Sequence, residues 1–281
     1  MMSCSDAKES NGSVVRNIVR HKRGESGTTV DQVVEELPVA LVFNGISHAV
    51  MMVTPIDLEC FALGFALSEG IVERSGDVFD VETFIRADDA EVHMTVSQQA
   101  FMMLKGKRRA LAGRSGCGVC GLESIELLDL RPDRISVPET AVRISNDAIE
   151  RAARELPVHQ RLMRETGGIH AAAWCGTSGE VLHVFEDVGR HNALDKLIGL
   201  LAREHIDSWS GFVFLSSRAS YELVRKAARM QIHTLATISA PTSLAISIAQ
   251  QAGIRLLCFC RGDGFVEYLA DDSVAKNEHA A

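Results

Sequence analysis

Beyond Gly167 the chain alternates apolar runs with helical patterns, and nothing else in it constrains the fold so tightly. Runs at 181–185, 212–215, 234–238 and 255–260 are separated by amphipathic stretches at about 188–204, 221–231 and 244–251. Short strands that are almost wholly apolar must be covered on both faces, and the helices between them supply the cover. The pattern therefore predicts α/β layers around a largely parallel sheet. A last run at 264–269 adds an edge strand, and a helical stretch from about 146 to 165, interrupted near Pro157, leads in. An α/β domain is expected over 146–281.

Upstream, 38–43, Asn44-Gly45 and 46–53 spell a hairpin, because Asn-Gly supplies the two positive φ angles of a type I′ turn. Thr54-Pro55-Ile56-Asp57 follows, with a capping Thr, Pro at the first helical position and an acid three residues on. It predicts a helix of about 15 residues ending at Gly70. Runs at 78–85 and 91–96 flank the turn Asp88-Asp89. Residues 31–145 thus form a smaller α+β unit, and 1–30, which lack periodicity, are expected to be a mobile arm.

With 281 residues the chain can bury cores without disulfide staples, so its seven cysteines need another explanation. A net charge of −8 leaves no field to hold a polyanion, which argues against nucleic acid as the main partner. No run approaches the roughly 18 apolar residues of a membrane span, and the first 30 residues are polar rather than signal-like. The expected location is the cytoplasm, with no membrane partner, where thiols stay reduced and a cysteine that stands out is a candidate for chemistry.

Two do stand out. Between residues 105 and 121, Lys105, Lys107, Arg108, Arg109 and Arg114 precede and enter a run with four glycines, which holds Cys117 and Cys120 as Cys-x-x-Cys. Cations and unshielded backbone N–H groups lower a thiol pKa, and the thiolate is the nucleophile, so both sulfurs are candidate catalytic groups on a mobile loop. Zinc is disfavoured because no second Cys-x-x-Cys or Cys-x-x-His occurs, and no metal is assigned. The zinc deaminase signature fails for want of His-x-Glu and of Pro beside the pair. A dithiol oxidoreductase and an incidental glycine-rich turn remain open. Cys60, Cys175, Cys258 and Cys260 are expected to act as small hydrophobes, and Cys4 lies in the arm.

Three polar loops follow predicted strands: Ser216 to Ser220, Ser239 to Ser243 and Cys260 to Gly264. In an open α/β sheet the carboxyl ends of parallel strands face one crevice, where ligands bind. Helix starts there favour anions, and Arg218 and Arg261 add charge, so together the loops point to a phosphate or nucleotide. Taken singly, each is better explained by helix caps and turn glycines. The stretch 186–196 is read as opening a helix, which places Asp187, His191 and Asp195 four apart on one face, where a solvated salt-bridge stripe is the commoner outcome. His170, after the Gly167-Gly168 turn, and His191 are candidates for proton handling.

Five stretches carry a resemblance: Gly113-Arg-Ser-Gly-Cys-Gly-Val-Cys-Gly121, Thr166-Gly-Gly-Ile-His-Ala-Ala-Ala173, Glu186-Asp-Val-Gly-Arg-His-Asn-Ala-Leu-Asp-Lys196, Ser216-Ser-Arg-Ala-Ser-Tyr-Glu222 and Ser239-Ala-Pro-Thr242. In order and spacing, from about 37 to 268, the chain resembles the FdhD family of formate dehydrogenase accessory sulfurtransferases. The resemblance implies a sulfur carrier that takes persulfide sulfur from an IscS-type cysteine desulfurase. The sulfur passes to the molybdenum (or tungsten) bis(molybdopterin guanine dinucleotide) cofactor before that enters formate dehydrogenase. Cys117 would bear the persulfide, with Cys120 its partner or relay. Phe259, Cys260, Arg261, Gly262, Asp263 and Gly264 match the family's cofactor-binding stretch. Ser217, Arg218, Thr242, His170 and His191 complete the expected cofactor site, for which GDP is a mimic. The resemblance also implies a homodimer and a C-terminal domain of cytidine deaminase-like fold without its zinc ligands. The competing class is an insertion chaperone that binds the cofactor and uses its thiols, if at all, as a redox pair.

Overall fold

The computed structural model describes residues 10–109, 132–136, 138 and 141–268. The chain begins with β1 (Ser13–Lys22) and β2 (Glu25–Val34), an antiparallel hairpin of its own. Residues 13–30 of the stretch expected to be a mobile arm over 1–30 are therefore in strands and their turn, while 1–9 lie outside the described residues. The polar composition that suggested disorder belongs to strands exposed on both faces rather than to coil.

β3 (Leu37–Phe43) and β4 (Ile46–Val53) form the expected Asn44-Gly45 hairpin, with φ of 44° and 78° at the two turn residues. With β5 (Val78–Ile85) and β6 (Ala90–Val96) they make a four-stranded sheet of order β4-β3-β6-β5. The helix after β4, α1, spans only Leu58–Ser68. Thr54 and Pro55 lie before it, and Asp57, in the left-handed region at φ 54°, is its N-cap. Thr54 resembles a cap in sequence, but its polar groups serve long-range partners described below. α2 (Gln98–Arg109) closes this unit.

The C-terminal unit has α3 (Asn146–His159) and α4 (Arg161–Thr166), then β7 (His170–Gly176), β8 (Val181–Asp187) and α5 (Arg190–Arg203). It continues with β9 (Gly211–Leu215), α6 (Tyr221–Arg229), β10 (Thr234–Thr237), α7 (Ser243–Ala252), β11 (Arg255–Arg261) and β12 (Gly264–Tyr268). Pro157 lies inside α3, and the break between α3 and α4 falls at Gln160. The sheet order is β12-β11-β10-β9-β7-β8. Only β9, β10 and β11 run parallel; β12, β7 and β8 pair antiparallel, so the sheet is mixed rather than largely parallel. The cause is β7, a strand of Ala, Trp and Cys with little polar punctuation. It returns directly into β8 through a tight turn instead of crossing over by a helix.

Two cores cover the two faces of this sheet. α5, α6 and α7 pack with Ala172, Trp174, Val213, Leu215, Leu235, Leu256 and Cys258, and α3 packs with Ala173, Cys175, Phe212, Phe214, Ala236, Leu257 and Cys260. The first core is continuous with that of the N-terminal unit. Where α1 crosses α5 the backbones nearly touch. A Cβ at Gly64 would sit 1.7 Å from the Asp195 carbonyl oxygen, and one at Gly199 would sit 1.9 Å from that of Cys60. Glycine is required there to let two helices meet.

Candidate functional site

Sheet topology gathers the functional edge. β9, β10 and β11 end on the same side of the sheet; β7, antiparallel to β9, begins there, and β8 ends there with Asp187 opposite His170. The connecting loops are laced together. Ser216 N donates to Ala171 O at 2.9 Å, and Ala171 N donates to Ser216 Oγ at 2.7 Å. Ala219 bridges Pro241, Thr242 N donates to Ala219 O at 3.0 Å, and Phe259 N donates to Ser239 O at 3.3 Å. The three polar loops therefore meet, and α5, α6 and α7 all start at this edge with their N–H-rich ends toward it.

Two of these helix starts differ chemically. Thr242 is a helix cap in the plain sense, its hydroxyl accepting from Ala245 N at 3.2 Å. Ser220 occupies the N-cap position of α6 but makes no cap bond. Its Oγ, Nε2 of His191 and Nε of Arg190 are buried atoms for which the described residues supply no hydrogen bond of normal geometry. Buried polar atoms left in this state mark a place where a ligand or water completes the bonding. Beside them Glu222 approaches His191 Nε2 at 3.7 Å, and the neighbouring ring, working against burial, holds its carboxyl down to about 2. Burial and the nearby Arg190 and His191 lower the pKa of His170, so the ring at the start of β7 stays neutral near pH 7.

One helical turn below, the polarity turns inward. Asp187, Lys196 and Asp195 are not a solvated stripe. Asp187 ends β8 rather than sharing a helix face with His191, and all three side chains are 1% exposed or less. Lys196 Nζ lies 2.7 Å from Asp187 Oδ2 and donates to Thr54 O at 3.0 Å. Thr54 N donates to the same Asp187 oxygen at 3.1 Å, and Asn192 Nδ2 to Asp187 Oδ1 at 2.9 Å. A second buried group joins Asp195, Lys226, Ser68 and Glu69. His191 and Asp195 are four apart on α5, as are Glu222 and Lys226 on α6. The crevice pair and the buried pair are thus successive rungs between the same two helices.

The expected site residues separate accordingly. Ser217 is buried, with its hydroxyl on the Arg218 carbonyl at 3.1 Å; Arg218 and Thr242 are exposed at the same edge, and His170 and His191 line it half-buried. Phe259 has φ 56°, a strained setting for a non-glycine residue, and is 38% exposed. That left-handed residue breaks the strand's alternation. Cys258 faces the α5–α7 core and Cys260 the α3 core, although residues two apart normally share a face. Cys260 is therefore no crevice residue; its thiol is buried and pushed up to about 12. Arg261, Gly262 and Asp263 are exposed in the β11–β12 turn, with Gly262 beside Arg154 of α3 and Gly264 closing the turn opposite Arg261. Cys117 and Cys120, like the glycine run around them, lie outside the described residues. Among the described residues no cluster of three or more His, Cys, Asp or Glu is arranged to hold a metal ion, and no helix is long and apolar enough to cross a membrane.

Sequence reasoning did not select Arg190, Ser220 or Glu222, although each stands in a stretch that carried the resemblance. A Ser one residue before a helical pattern reads as a cap, and only its missing cap bond sets Ser220 apart.

This architecture, a mixed α/β fold with a polar strand-end crevice, has known relatives. Residues 34–275 match the model of the FdhD/NarQ family, and the chain belongs to that family. It is 62% identical over 272 residues to a protein of Burkholderia mallei named sulfur carrier protein FdhD, covering 95% of this chain and 99% of that one. A protein of the same name from Chromobacterium violaceum is 62% identical over 253 residues, 90% of this chain and 94% of the relative. The fold matches a crystal structure assigned as a formate dehydrogenase accessory protein from Desulfotalea psychrophila, with a TM-score of 0.70 at 20% identity, covering 92% of this chain and 98% of that one.

Proposed function

We propose that this protein is a cytoplasmic sulfur carrier for formate dehydrogenase maturation. In this reading it takes sulfur as a persulfide on Cys117 from an IscS-type cysteine desulfurase, with Cys120 as partner or relay. It delivers that sulfur to the bis(molybdopterin guanine dinucleotide) cofactor of molybdenum, which is its substrate. The observation that carries the reading is 62% identity, over 95% of the chain, to a protein named as a sulfur carrier. The crevice supports the second half. The buried polar atoms of Ser220, His191 and Arg190, three helix starts and the exposed Arg218 suit the phosphates of a nucleotide-bearing cofactor. The six-stranded unit then acts as a cytidine deaminase-like frame whose zinc chemistry is replaced by cofactor binding.

The residues have separable tasks. Arg218, Arg190 and the start of α6 bind phosphate, while neutral His170 and the Glu222–His191 pair hold or move protons at the crevice. The test is the intact mass of the protein after incubation with a cysteine desulfurase and cysteine, repeated for Cys117→Ser and Cys120→Ser. Gain of one sulfur atom, reversed by reductant and lost in one variant, is the expected result. Loss of two hydrogens with no sulfur gained overturns it and favours the insertion chaperone with a redox dithiol.

A further inference from the structure

Helix α5 opens without a capping side chain of its own. Its N-cap is Gly189, which has nothing with which to bond the N–H groups of the first turn, and glycine also loses the most freedom on ordering. No other residue fits. A Cβ on Gly189 would lie 2.5 Å from Nδ2 of Asn192, a buried amide bonded on both sides. The turn that follows presents Arg190 and His191, so its placement fixes where these two crevice side chains stand.

The missing cap is supplied by groups outside the helix. Asp187 Oδ1 accepts from Gly189 N at 2.8 Å and from Asn192 Nδ2 at 2.9 Å, so one carboxylate oxygen spans the helix start. The other oxygen, Oδ2, accepts from Thr54 N at 3.1 Å and lies 2.7 Å from Lys196 Nζ. Thr54 turns its remaining polar groups to the same place. Its hydroxyl accepts from Val188 N at 3.2 Å, and its carbonyl accepts from Lys196 Nζ at 3.0 Å. Met52 O takes a second bond from the Asn192 amide at 2.8 Å. Thr54, Asp187 and Lys196 are all fully buried.

We propose that Asp187, anchored by Thr54 from the N-terminal unit, is the positioning residue for Arg190 and His191 at the crevice. A buried ion pair often stabilises a fold no better than apolar residues of the same volume, but its bonds are directional and fix a geometry. Four donors converge on the two Asp187 oxygens: Gly189 N, Asn192 Nδ2, Thr54 N and Lys196 Nζ. That is the full acceptor capacity of a carboxylate, so it has one orientation and the helix start has one place. Three of the donors belong to α5 or its cap; Thr54 alone ties them to the N-terminal unit. Loss of the Thr54 hydroxyl leaves α5 a helix but frees its first turn to shift. The proposal rests on the reading of the crevice as a nucleotide site and adds to it what holds two of the site's side chains in place.

Asp187→Asn and Lys196→Met each leave a buried charge without its partner and endanger the fold. The test is therefore Thr54→Val, which keeps the size of the side chain and removes only the hydroxyl, with Thr54→Ser as the conservative return. The full chain is read in two ways, by hydrogen–deuterium exchange of the amides at 188–192 and by calorimetric titration with GDP. Thr54→Val is expected to speed exchange at 188–192 while the starts of α6 and α7 stay as in wild type, and to weaken GDP binding about tenfold. Thr54→Ser is expected to restore both. Unchanged exchange at 188–192 overturns the proposal, as does faster local exchange with GDP affinity intact. Faster exchange over the whole chain, not rescued by Thr54→Ser, makes Thr54 merely structural and overturns it too. A wild type that binds no GDP refutes the nucleotide reading instead, and exchange at 188–192 then decides by itself whether the helix start is held from Thr54.

Discussion

Lys226 Nζ lies 2.8 Å from Asp195 Oδ1 with the two side chains 3% and 1% exposed, directly beneath the His191–Glu222 pair. Ser68 Oγ donates to the same Asp195 oxygen at 2.6 Å, and Glu69 reaches Lys226 at 2.8 Å, so the pair ties α1 to α5 and α6. The crevice wall and the junction of the two units share one set of charges. Burial alone lowers a lysine pKa; here the Asp195 and Glu69 carboxylates outweigh it and raise that of Lys226, which keeps the ammonium charged. Lys226→Met leaves Asp195 buried without its cation and is expected to cost about 3–5 kcal/mol. Urea unfolding of the variant against wild type measures this; a loss under about 1 kcal/mol would mean the pair is relieved by water.

Two carboxylates, Glu69 of this cluster and Glu222 above it, set the acid limit of the protein. Burial raises the Glu69 pKa, but Lys226 and Arg225 outweigh it and hold the carboxyl well below its ordinary value, and Glu222 is held down to about 2 from 4.5. Folded-state values below the unfolded ones mean that the unfolded chain binds protons first. The stabilisation is present above the unfolded value near 4.5 and is lost as pH falls through the lower folded values. His170, lowered from 6.5 chiefly by burial, adds an earlier loss that begins below 6.5. Unfolding midpoints measured from neutral pH into this acid range should fall in two stages, and Glu222→Gln should flatten the second.

The crevice hydroxyls separate a binding role from a capping role. Removing a helix cap costs about 1 kcal/mol, and Thr242→Ala should do so because the Thr242 hydroxyl bonds Ala245 N. Ser220 caps nothing, so Ser220→Ala should leave the melting temperature within error while weakening GDP binding about tenfold. Calorimetric titration with GDP, alongside thermal melts of both variants, distinguishes the two. Destabilisation by Ser220→Ala with unchanged GDP affinity would make that serine structural.

Gly64 tolerates no side chain. Its Cβ would lie 1.7 Å from the Asp195 carbonyl, backbone against backbone, so Gly64→Ala must push α1 and α5 apart and disturb the buried ion pairs on either side. A loss of about 3 kcal/mol or more, seen as reduced soluble yield and a lower urea midpoint, is expected. Gly24, with open space around its Cβ position, is the control for substitution at a glycine in general.

Thiol reactivity should divide the seven cysteines cleanly. Cys60, Cys175, Cys258 and Cys260 are free and buried, and burial pushes the thiols of Cys258 and Cys260 up to about 11 and 12. None of the four should take iodoacetamide in the native protein at neutral pH, and all four should in urea. Peptide mapping by mass spectrometry reads this directly. Native labelling of Cys260 would place it back at the crevice.

By itself the sequence determined the elements with local causes. The Asn44-Gly45 hairpin, the strands at 78–85 and 91–96, and the alternation from β8 to β12 stand where turn chemistry and periodicity put them, because each depends on residues a few positions apart. The three loops that meet at the strand ends were legible for the same reason, since parallel neighbours carry their loops to one edge. The tertiary structure alone decided what depends on distant partners. β7 makes the sheet mixed, and Thr54 bonds Asp187 and Val188 instead of capping α1. Asp195 and Lys196 are buried because Lys226, Asp187 and Thr54 arrive from elsewhere in the chain to pair with them. Cys260 turns away from Cys258 because one left-handed residue intervenes. Charge and polarity along a strand or helix say that a group needs partners; where those partners are, and so whether the group faces water or the core, only the folded chain determines.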